Sequence, residues 1–281
     1  MANGKPQDIK GYTPGQTSLA ERTLVTVWRS VGEYHRHLVL VGGLVPRYLI
    51  DRAGEREVPV GSGHCGTMDV DLGVSLAVAD LKTYESIRDR LIERLGFWRG
   101  GTEEGRKQKH SFVSEFDGRD INIDFLTTKY GGPESKIRAV EKDLSAIQAE
   151  GLGLAFQAPV FVDIRAELLT GDGLYTAHVP VCRAVPYIIL KALSFRDRGE
   201  RKDAYDLVYT LTHYQDGPAS AATEVRKEER ESDSFKHAVA AMKELFASEV
   251  ENGSAAYGNF LGDRSLASMA YATVQEFIAN L

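Results

Sequence analysis

Apolar and polar positions change period several times along the 281-residue chain. Residues 17–37 place Leu24, Val27, Trp28, Val31 and Tyr34 near helical spacing, which predicts a helix. "LVLVG" (38–42) is a short continuous apolar run, as in a buried strand. "GLVPRYLIDRAG" then reads as a helix, with Pro46 tolerable only in its first turn. After a predicted loop at 54–67, "MDVDLGVSL" (68–76) alternates strictly, as a half-buried strand does. A helix is expected at 80–95, with Asp80 as N-cap and Gly96 as its stop. "HSFVSEFDGRDINIDFL" has the form of a β-hairpin turning at Asp117-Gly118. A helix at 134–149 and strands at 159–165 and 174–181 follow. From 184 on the pattern is helical: "AVPYIILKALSFRDR", "RKDAYDLVYTLTHY", one long charged helix at 219–249 and a last one at 264–280. The fold class expected is α+β, with a sheet-containing domain over 1–183 and a helical domain over 184–281.

Composition narrows the setting. No apolar run approaches the roughly 20 residues that span a bilayer. The polar, Gly/Pro-punctuated start lacks a signal-peptide core, so a cytoplasmic protein with no membrane partner is expected. The two cysteines, Cys65 and Cys182, make no disulfide framework and no zinc spacing. A net charge of -6 argues against whole-surface affinity for nucleic acid. Handling a polyanion then requires metal cations or a focused Lys/Arg cluster. The basic run "RKQKH" (106–110) reads as a solvated loop that could touch an RNA backbone.

The candidate chemistry lies in three acids. Residues two apart on a strand share a face, so Asp69 and Asp71 point the same way. In "RDINIDFL" the apolar Ile121, Ile123 and Phe125 take one face, leaving Asp120, Asn122 and Asp124 on the other. If that strand lies beside 68–76, Asp124 joins Asp69 and Asp71 in an oxygen-rich cage suited to Mg²⁺. Such a cage serves phosphoryl or nucleotidyl transfer. Gly42 and Gly43 allow a sharp turn that exposes backbone N–H groups, and the following helix start favours a phosphate there. In the helical part, Lys191, Ser194 and Arg198 fall on one helix face, and Asp203 and Asp206 share another. Apolar flanks leave Lys191 half buried and in need of an anionic partner.

"VGGLVPRYL", "TMDVDL" and "INIDFL" resemble the signature of DNA polymerase β-like nucleotidyltransferases. "VPYIILKALSFRDRGERKDAYDLVYTL" (185–211) is similar to the helical motif of the AbiEii-type toxins of type IV toxin–antitoxin systems. The resemblance implies a mixed-sheet nucleotidyltransferase domain followed by the helical one. It implies that Gly42 and Gly43 contact nucleotide phosphates and that Asp69 and Asp71 hold metal ions. Asp124 becomes a metal ligand or the acceptor of the attacking hydroxyl's proton. Lys191 would neutralise triphosphate charge, with Asp203 and Asp206 beside it in the nucleotide-binding set. The implied reaction is Mg²⁺-dependent transfer from an NTP to a hydroxyl, such as a tRNA or other RNA 3′ end, in a toxin with a cognate antitoxin. A small-molecule nucleotidyltransferase of the aminoglycoside type and a non-catalytic nucleotide-binding protein are the alternatives. Departures are Leu44 where the family often has Ser or Thr, Cys65 beside His64 where it often has Arg, and an inserted 54–67 segment.

Overall fold

The computed structural model describes residues 5–51, 63–80, 86–101, 107–129, 136–141 and 143–281. The chain divides into two compact units. One comprises Thr13–Val45 and Gly66–Cys182; the other comprises the described residues of Lys5–Tyr12, Pro46–Cys65 and Arg183–Leu281.

The first unit is built on strands β1 (Leu38–Val41), β2 (Asp69–Val74), β3 (Trp98–Gly101), β4 (Lys107–Phe116), β5 (Arg119–Thr128), β6 (Ile137–Glu141), β7 (Leu144–Ala149), β8 (Val160–Glu167) and β9 (Leu174–Val181). They form one mixed sheet in the order β3-β4-β5-β2-β1-β9-β8, with β7 paired to β5 and to β6. β2 runs parallel to β5 and antiparallel to β1. Helix α1 (Pro14–Ser30) starts with a capping box between Thr13 and Gln16 and with Pro14 in its first turn. It covers the sheet face that carries Phe116 and Arg119: the Arg22 guanidinium lies 4.5 Å from the Phe116 ring centroid, and the position of Gly15 abuts Arg119. That face buries Val70, Leu72, Phe112, Ile121, Ile123 and Phe125. The short helices are α2 (Ile87–Asp89), prolonged by a wide turn through Arg94, and α3 (Leu152–Ala155). α3 packs on the opposite face, where Leu152 and Phe156 meet Gly73.

Three expectations for this unit are corrected. Of the helix expected at 134–149, the described residues Ile137–Glu141 and Leu144–Ala149 instead pair as the β6–β7 hairpin. Ala, Glu and Lys give this stretch helical propensity, but β7 completes the edge of β5 over Leu126–Thr128, and that pairing outweighs propensity. Asp143 turns the hairpin at φ +62°, a conformation Asp tolerates. Residues 107–110 of the basic run open strand β4 instead of a loop. The helix expected at 80–95 is seen over Ile87–Arg94, capped by Ser86, whose hydroxyl accepts from the Asp89 N–H, and not by Asp80, which ends a separate tight turn from Leu76; 81–85 lie outside the described residues. The Asp117-Gly118 hairpin is present, with both residues at positive φ.

The second unit contains α4 (Ala184–Arg198), α5 (Arg201–His213), α6 (Pro218–Thr223), α7 (Lys227–Glu231), α8 (Asp233–Leu245), α9 (Asn252–Leu261) and α10 (Ala267–Ala279). The single helix expected at 219–249 is therefore three. Ser232 takes an extended conformation and its hydroxyl accepts from the Phe235 N–H, so a new helix starts there. Gly199, at φ +67°, ends α4. Among the described residues no helix is long and apolar enough to cross a membrane.

Candidate active site

Strand register aligns the acids of the sheet unit. Asp71 lies directly opposite Asp124 across the parallel β2–β5 pair, and Asp69 opposite Asn122. Paired positions share a face, so these four side chains project together on the face away from α1. The Asn122 Nδ2 donates to Asp69 Oδ1 at 3.2 Å. Thr67 braces the start of β2, its hydroxyl accepting from the Asp69 N–H at 3.2 Å. Asp69 is buried; Asp71 and Asp124 are half-buried.

The glycine turn meets this row through β1. Val41 is opposite Asp71, and Gly42 follows at φ +74°. A Cβ on Gly42 would fall 1.9 Å from Asp71 Oδ2 and 2.6 Å from its Cγ. Only glycine fits a positive φ with a carboxylate so close. Gly42–Leu44 form a tight helical turn, and the chain stays helical through Asp51. The first N–H groups of such a run lack partners within it, as an anion cradle requires.

Carboxylate oxygens are ligands for hard divalent cations, and strand register supplies three on one face. Among the described residues, no three His, Cys, Asp or Glu side chains are already gathered as a metal-holding group. The backbone arrangement fits a cation; the side-chain rotamers are not drawn together around one.

The helical unit holds the other predicted residues in a buried charge cluster. Lys191 Nζ lies 3.0 Å from Asp203 Oδ1 and 2.6 Å from Asp206 Oδ2. Arg198 donates to both oxygens of Asp203, at 2.5 and 2.8 Å. Lys202 reaches Asp206 Oδ1 at 2.5 Å. Both aspartate side chains are 0% exposed. Burial opposes each charge here, yet mutual attraction prevails. Lys191 and Lys202 titrate above the usual lysine range, and Asp206 well below the usual carboxylate range, held there by both lysines.

Sequence reasoning missed His64. Its fully buried ring sits 2.8 Å from Asp206 Oδ1 and packs against Tyr205 and Tyr209. Burial, with Lys202 nearby, lowers its pKa to about 4, so it is neutral at pH 7. Its backbone N–H donates to Asp51 Oδ2 at 3.0 Å, and the Tyr209 hydroxyl donates to Asp51 Oδ1 at 2.6 Å. These contacts tie Asp51 and His64 to α5. A lone histidine within a predicted loop carries no spacing signal for such a partner.

A family model described as the nucleotidyl transferase AbiEii toxin of type IV toxin–antitoxin systems matches residues 66–278. The chain belongs to this family. Like the rest of the AbiEii family, it is a nucleotidyltransferase, with a nucleotide substrate and an antitoxin counterpart. The matched span includes Asp69, Asp71, Asp124, Lys191, Asp203 and Asp206; Gly42, Gly43 and His64 precede it. No curated protein matches the chain.

Proposed function

We propose that this AbiEii-family enzyme transfers a nucleotide from an NTP to a hydroxyl at an RNA 3′ end, such as a tRNA acceptor stem, with Mg²⁺ as cofactor. The reading is carried by Asp71, which faces Asp124 across paired strands and abuts the Gly42 turn. Gly42 and Gly43 hold the triphosphate by backbone N–H groups. Asp69, Asp71 and Asp124 are the residues that would hold the metal. When bound, Mg²⁺ would supply charge neutralisation of the phosphates and lower the pKa of the attacking hydroxyl. The acceptor oxygen attacks the α-phosphorus. The new O–P bond forms as the bond from the α-phosphorus to the bridging oxygen breaks, pyrophosphate departs, and Asp124 accepts the hydroxyl proton.

Lys191 is assigned a supporting part: Asp203 and Asp206 already neutralise it, so it braces the helical unit. Family membership supports the toxin role, and the RNA acceptor and growth arrest relieved by an antitoxin are proposed with it. A small-molecule acceptor is the second reading, favoured by the net charge of -6. Incubation with labelled NTPs, Mg²⁺ and total tRNA should label RNA with the wild type. Asp69→Ala should lower the rate by about 10²–10³-fold, the scale on which removing one electrostatic stabiliser acts. Equal labelling by both proteins would refute the assignment. No labelling by wild type, with label on an amino-sugar instead, would favour the small-molecule reading.

A further inference from the structure

The acid row continues outward across the sheet. Asp69 is opposite Asn122, Asn122 opposite Val113 on β4, and Val113 opposite Trp98 on β3. Trp98 therefore shares the face of the acids, three strand spacings or about 14 Å from Asp69. Its ring is not core: Trp98 is 47% exposed, while Trp28 is 1% exposed. The floor between is low. Gly100 sits against Ser111, where a Cβ would fall 2.9 Å from Ser111 Oγ, and Ser111 is opposite Asp124. The same outer strands bring cations. Lys107 is exposed and opposite Gly101, three residues or about 10 Å from Trp98 along the edge. Lys109 is exposed as well, with Nζ 3.1 Å from Asp143 Oδ1.

We infer that strands β3 and β4 hold the polynucleotide acceptor, with Trp98 stacking on one of its bases and Lys107 and Lys109 meeting its phosphates. The inference rests on the RNA reading above and adds where the acceptor lies. The flanks of the row decide between acceptor and NTP. Gly42, the phosphate turn, adjoins Asp71 from the β1 side, whereas β4 and β3 extend from the β5 side. A donor phosphate and an acceptor strand thus approach the acids from opposite flanks. An exposed aromatic beside lysines is the pattern that binds single strands, because every base offers a stacking face and every linkage a charge. It also gives an acidic protein the focused cations that a polyanion needs.

The chain has two tryptophans, and the exposed one reports directly. Adding a short single-stranded oligoribonucleotide, without NTP, should quench Trp98 emission. Trp98→Ala should weaken binding by about 5- to 150-fold, the range for losing one stacked base, and Trp98→Phe should restore most of it. Lys107→Gln with Lys109→Gln should reduce the slope of log affinity against log salt by about 1.4. The KM for NTP should stay unchanged in the Trp98→Ala protein. Wild-type oligonucleotide affinity and acceptor KM in that variant would overturn the inference while RNA labelling continues. A raised KM for NTP with oligonucleotide binding intact would overturn it too, assigning Trp98 to the donor base. A wild type that neither binds the oligonucleotide nor labels RNA overturns this inference and the RNA reading together.

Discussion

The molecule handles its aspartates in two opposite ways. In the helical unit Asp203 and Asp206 are buried with cations from their own chain: Lys191, Arg198 and Lys202. In the sheet unit Asp69, Asp71 and Asp124 are aligned with one another by strand register, and a glycine turn is pressed against one of them. Carboxylates of like charge on one face favour an added cation. A cluster that carries its own cations has that need met internally. The sheet arrangement is suited to receiving a cation, the helical one to holding a fold.

The largest effect that would sharpen this contrast is on stability. Asp206→Ala leaves Lys191 and Lys202 buried with one carboxylate fewer, and should destabilise the protein by about 3–5 kcal/mol in urea unfolding. Wild-type stability in that variant would break the comparison.

Acid should act next. His64 titrates at 6.5 in its ordinary state and at about 4 in the fold. Between those values the unfolded chain binds more protons, so stability falls as pH drops from 6.5 to 4, by about 3 kcal/mol in all. Asp206, with a depressed pKa, loses its contribution only as pH falls further through the acid range. Melting temperature against pH checks this, and His64→Asn should flatten the upper part of the curve.

The smallest effect falls on the sheet side and should separate activity from stability. Gly42→Ala forces a methyl group against the Asp71 carboxylate. Transfer should drop by about 10- to 100-fold, the scale of a small misplacement. Stability should fall by only about 1–2 kcal/mol, the strain of a positive φ at a residue with a Cβ. A larger loss in folding than in rate would reverse the assignment of the two regions.

Much of the sheet site was legible because a strand alternates with period two. Ile121, Ile123 and Phe125 point to the core and so force Asn122 and Asp124 outward. That β5 lies beside β2 was a condition the sequence could name but not settle, since register is a tertiary property. The 137–149 hairpin was illegible for the same reason: its local propensity is helical and its pairing is long-range. Residues 219–249 misled differently, through charge density that hides two breaks, one of them Ser232 acting as an N-cap. Lys191 was readable as a buried cation from its apolar flanks. His64 was not, because its partner Asp206 stands 142 residues away. Trp98 could not be singled out, because only pairing across three strands puts it in the row of Asp69.

The division of the chain bears on how it can be cut. Pro46–Cys65 belongs with the helices although it is threaded between two pieces of the sheet unit. A gene fragment ending at residue 183 would therefore encode Asp51 and His64 but omit Tyr209 and Asp206, their hydrogen-bonding mates. A fragment made of the sheet unit alone would have to leave out Lys5–Tyr12 and Pro46–Cys65 as well as everything after Cys182.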